Sequence, residues 1–248
     1  MSAAGLPDRN VKQRGSVMMR PALTLRRRRI LIDVGTQRDL FTADGKACIR
    51  NHRRVLANIR RVMAWARKEH IRVISTVRIF SPAGNWLSKP YCVAGTEGAR
   101  KIRYTSFARS RVYASDGYTD FPRDLFECYD QVIQEIRSDD PFEEPRADRI
   151  LSEVKATDFL VIGAPIETSV KFLVLGLLLR RKNVIVLADA VGSLEKHASE
   201  IALRQMQAKG AKLLDSKAVV GVSHLKKVGI CSCDRCQGRL LKAAAEAD

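Results

Sequence analysis

The stretch FLVIGAPIETSVKFLVLGLLL, residues 159–179, gives the strongest indication of the fold of this chain. It opens with a short apolar run, residues 159–162, whose length and β-branched content are typical of a strand buried on both faces. Gly163 ends the strand, and the nearly all-apolar segment 168–179 predicts a buried helix. A buried strand that turns directly into a buried helix places the loop between them at the carboxyl edge of a parallel sheet. Open α/β proteins bind their ligands at that edge.

Strand-like and helix-like segments alternate along the rest of the chain. Strands are predicted at 29–34, 71–79, 131–136, 159–162, 184–188 and 212–215. Helices are predicted at 48–69, 145–154, 168–179 and 194–209, and the segment 80–130 is expected to be irregular. This alternation predicts a three-layer α/β fold, a doubly wound, mainly parallel six-stranded sheet with helices on both faces.

The 248 residues are enough for one such domain, which we expect at 25–220. Residues 1–24 predict a basic flexible leader, and 221–248 a basic, cysteine-rich tail. No apolar run reaches the roughly 20 residues needed to span a bilayer. The amino-terminal segment lacks the apolar core of a secretory signal, so we expect a cytoplasmic protein without membrane contact.

The formal net charge of +17 favours anionic partners, and nucleic acid is one of them. Aromatic residues make up only 6% of the chain, so stacking platforms for bases are scarce. No nucleic-acid-binding motif accompanies the charge. A basic surface that is merely solvated is therefore an equally good interpretation.

Several segments in order resemble the isochorismatase-like superfamily, the cysteine hydrolases that include nicotinamidases and isochorismatases. The family's DxQxDF-like pattern is similar to residues 33–41, DVGTQRDLF, and its GTpG-like segment to 95–98, GTEG. The nucleophile loop, usually GvatdvCV, is matched by 163–170, GAPIETSV. The following DAvaS-like strand end is matched by 189–193, DAVGS. The resemblance spans about residues 28 to 220 and implies the family's fold and a homo-oligomer.

The resemblance also implies a catalytic set: an Asp that acts as base for a Cys, an assisting Lys, and two backbone N–H groups that hold the oxyanion. By position the Asp is Asp33, and the nucleophile is Ser169 instead of Cys. A hydroxyl needs a far more efficient base than a thiol does. Aligned back from Gly163, the chain has Gln134 or Glu135 where the Lys belongs, and we prefer this alignment. Lys101, in a KxrySaF-like segment, is the alternative lysine.

The resemblance assigns ligand binding to Gln37 and to the nucleophile-loop residues Ala164, Pro165 and Ile166. The family holds a cis peptide in this loop, and the residue after it donates one oxyanion N–H. That residue is Pro165 here, which favours the cis bond but has no N–H to donate. Losing one oxyanion donor typically lowers the rate by a factor of about 100 to 1000.

No metal site is expected in the core domain, whereas the tail contains a candidate. Nicotinamidases carry a metal on an Asp and His cluster after the second strand, but residues 75–87 contain no His, so the core domain should require no cofactor. In the tail, His224, Cys231, Cys233 and Cys236 form H-x6-C-x-C-x2-C. They either hold a structural Zn²⁺ or remain as three reduced thiols beside an incidental histidine.

Three functions are consistent with these residues. The first is a family member whose hydrolase activity is lost or strongly reduced, and which binds a small-molecule ligand or a protein partner. The second is an active hydrolase of small amides or esters that uses Ser169 with Asp33. The third is a basic, nucleic-acid-associated protein.

Overall fold

The structure is a computed structural model that describes residues 29–82 and 90–221. Seven strands alternate with helices along these residues. The strands are β1 (Arg29–Val34), β2 (Arg72–Arg78), β3 (Ser110–Tyr113), β4 (Gln131–Ile136), β5 (Asp158–Gly163), β6 (Val184–Val191) and β7 (Lys212–Leu214). The α-helices are α1 (Arg38–Phe41), α2 (His52–Lys68), α3 (Leu125–Cys128), α4 (Pro145–Glu153), α5 (Lys171–Leu179), α6 (Lys196–Ala208) and α7 (Ser216–Val220).

All seven strands form one parallel sheet in the order β3-β4-β2-β1-β5-β6-β7. After β1 the chain adds β2 beside it, then β3 at the edge of the sheet and β4 between β3 and β2, and it then returns to the other side of β1 with β5. The order of the strands therefore reverses between β1 and β5. In open α/β sheets the crevice at the carboxyl ends of two such strands is the usual place for a ligand.

Two apolar cores cover the two faces of the sheet. Alternate residues of β1 show the division: Ile30 and Ile32 pack into the core beneath α4 and α5, whereas Leu31 packs into the core beneath α2. β5 alternates in the same way and every one of its residues from Phe159 onward is buried. The nearly continuous apolar run in this strand is the pattern of a parallel strand covered on both sides.

The predicted α/β architecture is confirmed, and the sheet has seven strands instead of six. The additional strand is β3, four residues in the segment where we expected irregular structure. It lies at the edge of the sheet and pairs only with β4, and its Arg111 and Val112 side chains are exposed. A strand this short with little buried surface has no alternating apolar pattern, and so its sequence does not predict it.

The helix that we expected at 168–179 begins differently. Residues Ile166–Val170 form a π-helical turn, and α5 follows directly.

The expected leader 1–24 and the expected tail, apart from Gly221, lie outside the described residues. None of the helices within 29–82 and 90–221 is long and apolar enough to cross a membrane.

Candidate active site

Asp33 is fully buried at the carboxyl end of β1, beside the point where the strand order reverses. Its Oδ2 atom accepts hydrogen bonds from Thr36 Oγ1 at 3.1 Å and Ser75 Oγ at 3.0 Å. The same oxygen accepts a hydrogen bond from Lys101 Nζ. Its Oδ1 atom has no hydrogen-bond partner among the described residues. Asp33 is therefore a buried carboxylate with one fully engaged oxygen and one unengaged oxygen.

Lys101 lies in the segment between β2 and β3, and its side chain reaches Asp33. An isolated bridge between Lys101 and Gln37 holds this loop against the end of the strand. The Lys101 side chain is 8% exposed, and its Nζ also donates to Thr36 Oγ1 at 2.5 Å. Burial lowers the pKa of Lys101, and the Asp33 charge opposes this effect. The two groups form a buried ion pair inside a small hydroxyl network.

We expected Glu135 to occupy the position of the assisting lysine, and the structure contradicts this. Glu135 lies on β4, which β2 separates from β1, and it does not contact the Asp33 carboxylate. Burial raises the pKa of Glu135, and nearby Arg137 partly offsets this. Lys101, the alternative, is the residue that the fold brings to Asp33. The segment 99–102 crosses the end of the sheet before the chain enters β4, so alignment by strand order alone passes over it.

Ser169 lies in the π-helical turn and is 5% exposed. Its hydroxyl donates a hydrogen bond to Asp139 Oδ1 at 2.9 Å, and Asp139 forms an ion pair with Arg78 at the end of β2. The Ser169 hydroxyl is thus not hydrogen-bonded to Asp33 or Lys101. The structure places the two parts of the expected catalytic set in two separate polar networks.

The nucleophile loop has the expected backbone shape, with a cis peptide between Ala164 and Pro165. Its amide groups are already engaged. Ala164 N–H donates to Val34 O at 3.0 Å, and Ile166 N–H donates to Gly192 O at 2.9 Å. Pro165 has no N–H. None of these three residues offers a backbone donor to an oxyanion.

Only two of the four predicted binding residues lie at a cavity. Ala164 and Pro165 line a cavity next to Ser169, whereas Ile166 packs into the apolar core. Gln37 is fully buried, and its amide bonds the Arg78 backbone in both directions and donates to Ala99 O at 2.8 Å. These bonds tie the end of β2 to the 99–102 loop, so Gln37 holds the site together and presents no free polar atom.

The cavity beside Ser169 has a volume of about 10 Å³ within the surrounding described residues. A space of this size holds about one water molecule. Tyr91 also lines it, and burial together with the Asp139 charge raises the pKa of Tyr91 to about 12. A phenol with this pKa is neutral at physiological pH and is not a ready proton donor or acceptor.

Sequence reasoning missed the residues that complete both networks. Thr36, Ser75 and Thr105 surround the ion pair, with Thr36 and Thr105 Oγ1 atoms 3.0 Å apart. Arg78 and Asp139 surround Ser169. Arg78 could have been noticed, because it is a charged residue at the carboxyl end of a predicted buried strand. The others have no signal in a single sequence.

The chain is therefore an α/β domain that has a cis peptide after β5 and a buried Asp33–Lys101 ion pair at the carboxyl edge of its parallel sheet. The Isochorismatase domain family matches residues 29–218, and the chain belongs to the isochorismatase family. No curated protein sequence matches the chain.

Solved structures with the same fold have low sequence identity to this chain. A MAR1 ribonuclease from Caenorhabditis elegans is 19% identical, with a TM-score of 0.55 over 82% of this chain and 90% of that one. A pyrazinamidase from Pyrococcus horikoshii in complex with zinc is 21% identical, with a TM-score of 0.58 over 76% of this chain and 99% of that one. An isochorismatase family protein from Desulfovibrio vulgaris is 19% identical, with a TM-score of 0.62 over 79% of this chain and 98% of that one.

The zinc in the pyrazinamidase raises the question of a metal in this chain. Within 29–82 and 90–221, no three His, Cys, Asp or Glu side chains converge in a way that could hold a metal ion. The side chains of these two ranges therefore do not fit such an ion. The proposed tail ligands His224, Cys231, Cys233 and Cys236 lie outside the described residues.

Proposed function

We propose that this member of the isochorismatase family has lost the family's hydrolysis, or retains very little of it, and acts as a binding protein. The hydrogen bond from Ser169 to Asp139 carries the proposal. It directs the hydroxyl proton toward a carboxylate that already pairs with Arg78 and away from the Asp33–Lys101 pair. An ordinary carboxylate is too weak a base to deprotonate a hydroxyl efficiently at neutral pH.

Two further features support the same conclusion. The cis-loop residue Pro165 has no N–H, so one expected oxyanion donor is missing. The described residues around Ser169 leave a cavity of about 10 Å³, which is far smaller than the roughly 300 Å³ or more of typical ligand pockets. In this proposal the Asp33–Lys101 pair stabilises the structure of the site and does not activate a nucleophile.

Hydrolysis of small amides and esters tests this proposal. Nicotinamide and p-nitrophenyl acetate are suitable probes, with purified wild-type protein and Ser169→Ala compared side by side. We expect equal, background-level rates from both proteins. A wild-type rate that is at least tenfold above the Ser169→Ala rate would instead support an active hydrolase that uses Ser169.

A second function, nucleic-acid binding, is favoured by helix α2. Its sequence HRRVLANIRRVMAWARK contains six Arg or Lys residues and no Asp or Glu. Arg53 and Arg54 are exposed in its first turn, next to exposed Arg50. Positive side chains at a helix amino terminus oppose the helix dipole, so helix stability does not explain their position. Together with the +17 net charge, they suit a phosphate backbone.

One solved structure with the same fold is that of a ribonuclease, so RNA is the most direct probe of this second function. Binding to single-stranded RNA is measured by fluorescence anisotropy at several salt concentrations. The test variant is Arg50→Gln/Arg53→Gln/Arg54→Gln, and the control is Arg204→Gln/Lys209→Gln/Lys212→Gln, which removes the same charge from exposed positions elsewhere. Selective loss of binding in the first variant supports the α2 surface, and equal effects argue for unspecific attraction.

A further inference from the structure

A cavity of about 300 Å³ lies at the amino edge of the sheet, opposite the edge that carries Asp33. Ile71, Arg109 and Asp130 line it, and they directly precede β2, β3 and β4. Because these three strands are parallel neighbours, the three residues meet at one edge. The other lining residues are Arg67, His70, Phe107 and Ala108. The volume is at the lower end of the range of small-molecule sites.

Basic side chains dominate the lining of this cavity. Arg67, His70 and Arg109 line it, and the carboxylate of Asp130 beside them pairs with Arg72. Neither Arg67 nor Arg109 forms an ion pair with a carboxylate of the described residues. The two guanidinium groups therefore have no carboxylate partner in the part of the chain that the structure describes, and a bound anion would supply the missing charge.

The Arg67 guanidinium is held in place by the chain around it. Its Nη2 atom donates to Ser106 O at 3.1 Å and to Tyr104 O, and its Cζ atom lies 4.5 Å from the centroid of the Phe107 ring. This wall is fixed to β4, because Phe107 N–H donates to the buried Gln131 side chain at 2.6 Å. The Nη1 atom of Arg67 has no hydrogen-bond partner among the described residues. Arg67 therefore presents N–H donors from a fixed position, which lowers the entropy lost when a ligand binds.

Arg109 is held in the same way. Its Nη2 atom donates to Cys128 O at 2.6 Å and to Glu127 O at 3.0 Å. Its Nη1 atom has no hydrogen-bond partner within 29–82 and 90–221. Arg67 and Arg109 are both exposed residues that line the cavity, so a bound molecule can reach their guanidinium groups.

His70 adds an imidazole to the cavity from the end of α2. His70 N–H donates to Arg67 O at 3.2 Å, and Ile71 N–H donates to Ala66 O at 2.8 Å. These two bonds end the helix in a Schellman motif, in which the residue with positive φ is usually glycine. Here that residue is His70, with φ of 51°. The same bonds engage carbonyl groups at the negative end of the helix, which would otherwise repel an anion.

The chemistry of the lining indicates which anion suits the cavity. Guanidinium groups bind phosphate through pairs of N–H donors. A phosphate monoester has a charge of about −1.5 to −2 and three terminal oxygens. It therefore matches two guanidinium groups and an imidazole better than a carboxylate does, which has one charge and two oxygens. Ile71 and Phe107 add apolar surface for the carbon atoms of the ester.

We propose that this cavity binds a small phosphate monoester, with Arg67, His70 and Arg109 donating to the phosphate oxygens. The site is separate from the arginines at the start of α2, because Arg53 and Arg67 lie about 21 Å apart along the axis of that helix. The proposal does not rest on the proposed loss of hydrolysis, since the cavity and Ser169 lie at opposite edges of the sheet.

Isothermal titration of the full chain with inorganic phosphate, phenyl phosphate and benzoate tests the proposal. We expect saturable binding of both phosphate compounds to the wild type, and binding of benzoate that is at least tenfold weaker than that of phenyl phosphate. Arg67→Gln and Arg109→Gln should each weaken phenyl phosphate binding at least tenfold, because each removes a charged donor. The matched control is Arg123→Gln, which removes the same charge from an exposed position outside the cavity and should bind like the wild type.

His70→Gly keeps the test decisive if the arginine variants do not fold. Glycine is favoured at a position with positive φ, so this variant should fold, and we expect its affinity for phenyl phosphate to be several-fold weaker. An unchanged affinity in the folded His70→Gly protein would contradict the proposal.

Three further results would overturn the proposal. They are no saturable binding of either phosphate compound, equal binding of phenyl phosphate and benzoate, and equal loss of affinity in the cavity variants and in Arg123→Gln. Single-stranded RNA without a terminal phosphate is titrated in the same way. Binding of this RNA, but of neither phosphate compound, would assign the basic residues to a nucleic-acid surface and contradict a site for phosphate monoesters.

Discussion

The Ser169 hydroxyl donates a 2.9 Å hydrogen bond to Asp139, although its place in the nucleophile loop would lead one to expect a bond with Asp33. Asp33 instead accepts hydrogen bonds from Thr36, Ser75 and Lys101, all through one oxygen. The polar side chains at this edge of the sheet therefore divide into two networks, one around Asp33 and Lys101 and one around Asp139 and Arg78. Each network can be disturbed by substitutions that leave the other intact.

The buried pair of Asp33 and Lys101 should contribute strongly to stability once it is formed. Lys101→Met leaves the fully buried Asp33 charge without its partner, so we expect a loss of about 3–5 kcal/mol in the free energy of unfolding. Urea unfolding measures this, with Lys209→Met at an exposed position as the control.

The double variant Asp33→Asn/Lys101→Met completes the test of that pair. We expect it to be less destabilised than the two single variants added together, because neither charge is then left unpaired. Strict additivity would show that the two groups do not interact, against the contact in the structure.

Asp139 should matter to stability through Arg78 more than through Ser169. Arg78 is 14% exposed at its side chain, so Asp139→Ala leaves a mostly buried guanidinium without its ion-pair partner. We expect a loss of about 1–3 kcal/mol on urea unfolding. Ser169→Ala removes one neutral donor and should cost only about 1 kcal/mol. The reverse order of the two losses would contradict this description of the network.

Cys92 is expected to make stability fall at alkaline pH. Burial, with a further contribution from the Asp39 charge, raises the pKa of this thiol from 9.0 to about 12. A group whose pKa is raised on folding contributes stability below its unfolded pKa, and that contribution is lost as the pH rises from about 9 towards about 12. The loss at about pH 10 should be of order 1 kcal/mol.

Urea unfolding of wild type and Cys92→Ala at about pH 8 and about pH 10 isolates this effect, and the variant should have the shallower pH dependence. Parallel curves for the two proteins would contradict it. In native protein, iodoacetamide should alkylate exposed Cys128 and leave Cys92 unmodified, because Cys92 is fully buried.

The salt dependence of RNA binding tests the α2 surface quantitatively. For a single strand, the slope of log K against log salt falls by about 0.7 for each phosphate that the protein no longer neutralises. We therefore expect Arg50→Gln/Arg53→Gln/Arg54→Gln to reduce the slope by up to about 2. An unchanged slope, measured beside the Arg204/Lys209/Lys212 control variant, would remove these three side chains from the interface.

The fold was predictable because its central strands are unambiguous. β1 and β5 are short, mainly apolar runs, and the observed bounds of these two strands and of β4 differ from those expected by at most one residue. β3 was not predictable, since it is an exposed edge strand whose pairing with β4 depends on the sheet already present. The π-helical turn was not predictable either, because its sequence is typical of an ordinary helix.

The sequence predicted only those site residues whose positions follow directly from a predicted strand. Asp33 ends β1 in any alignment, and Ser169 follows β5 at the family's spacing. Lys101 comes from a loop whose path over the sheet has no periodic signal, so strand order alone favoured Glu135 incorrectly. Asp139 reaches Ser169 from 30 residues away in sequence, a contact that no local pattern indicates.

We propose that Ser169 does not act as a nucleophile. The most direct test treats the native, folded protein with a fluorophosphonate probe and analyses the modified residue by mass spectrometry, with Ser169→Ala as the control. We predict no adduct at Ser169 and the same background in both proteins. An adduct on Ser169 that is absent from the control would contradict the claim and indicate a working serine hydrolase.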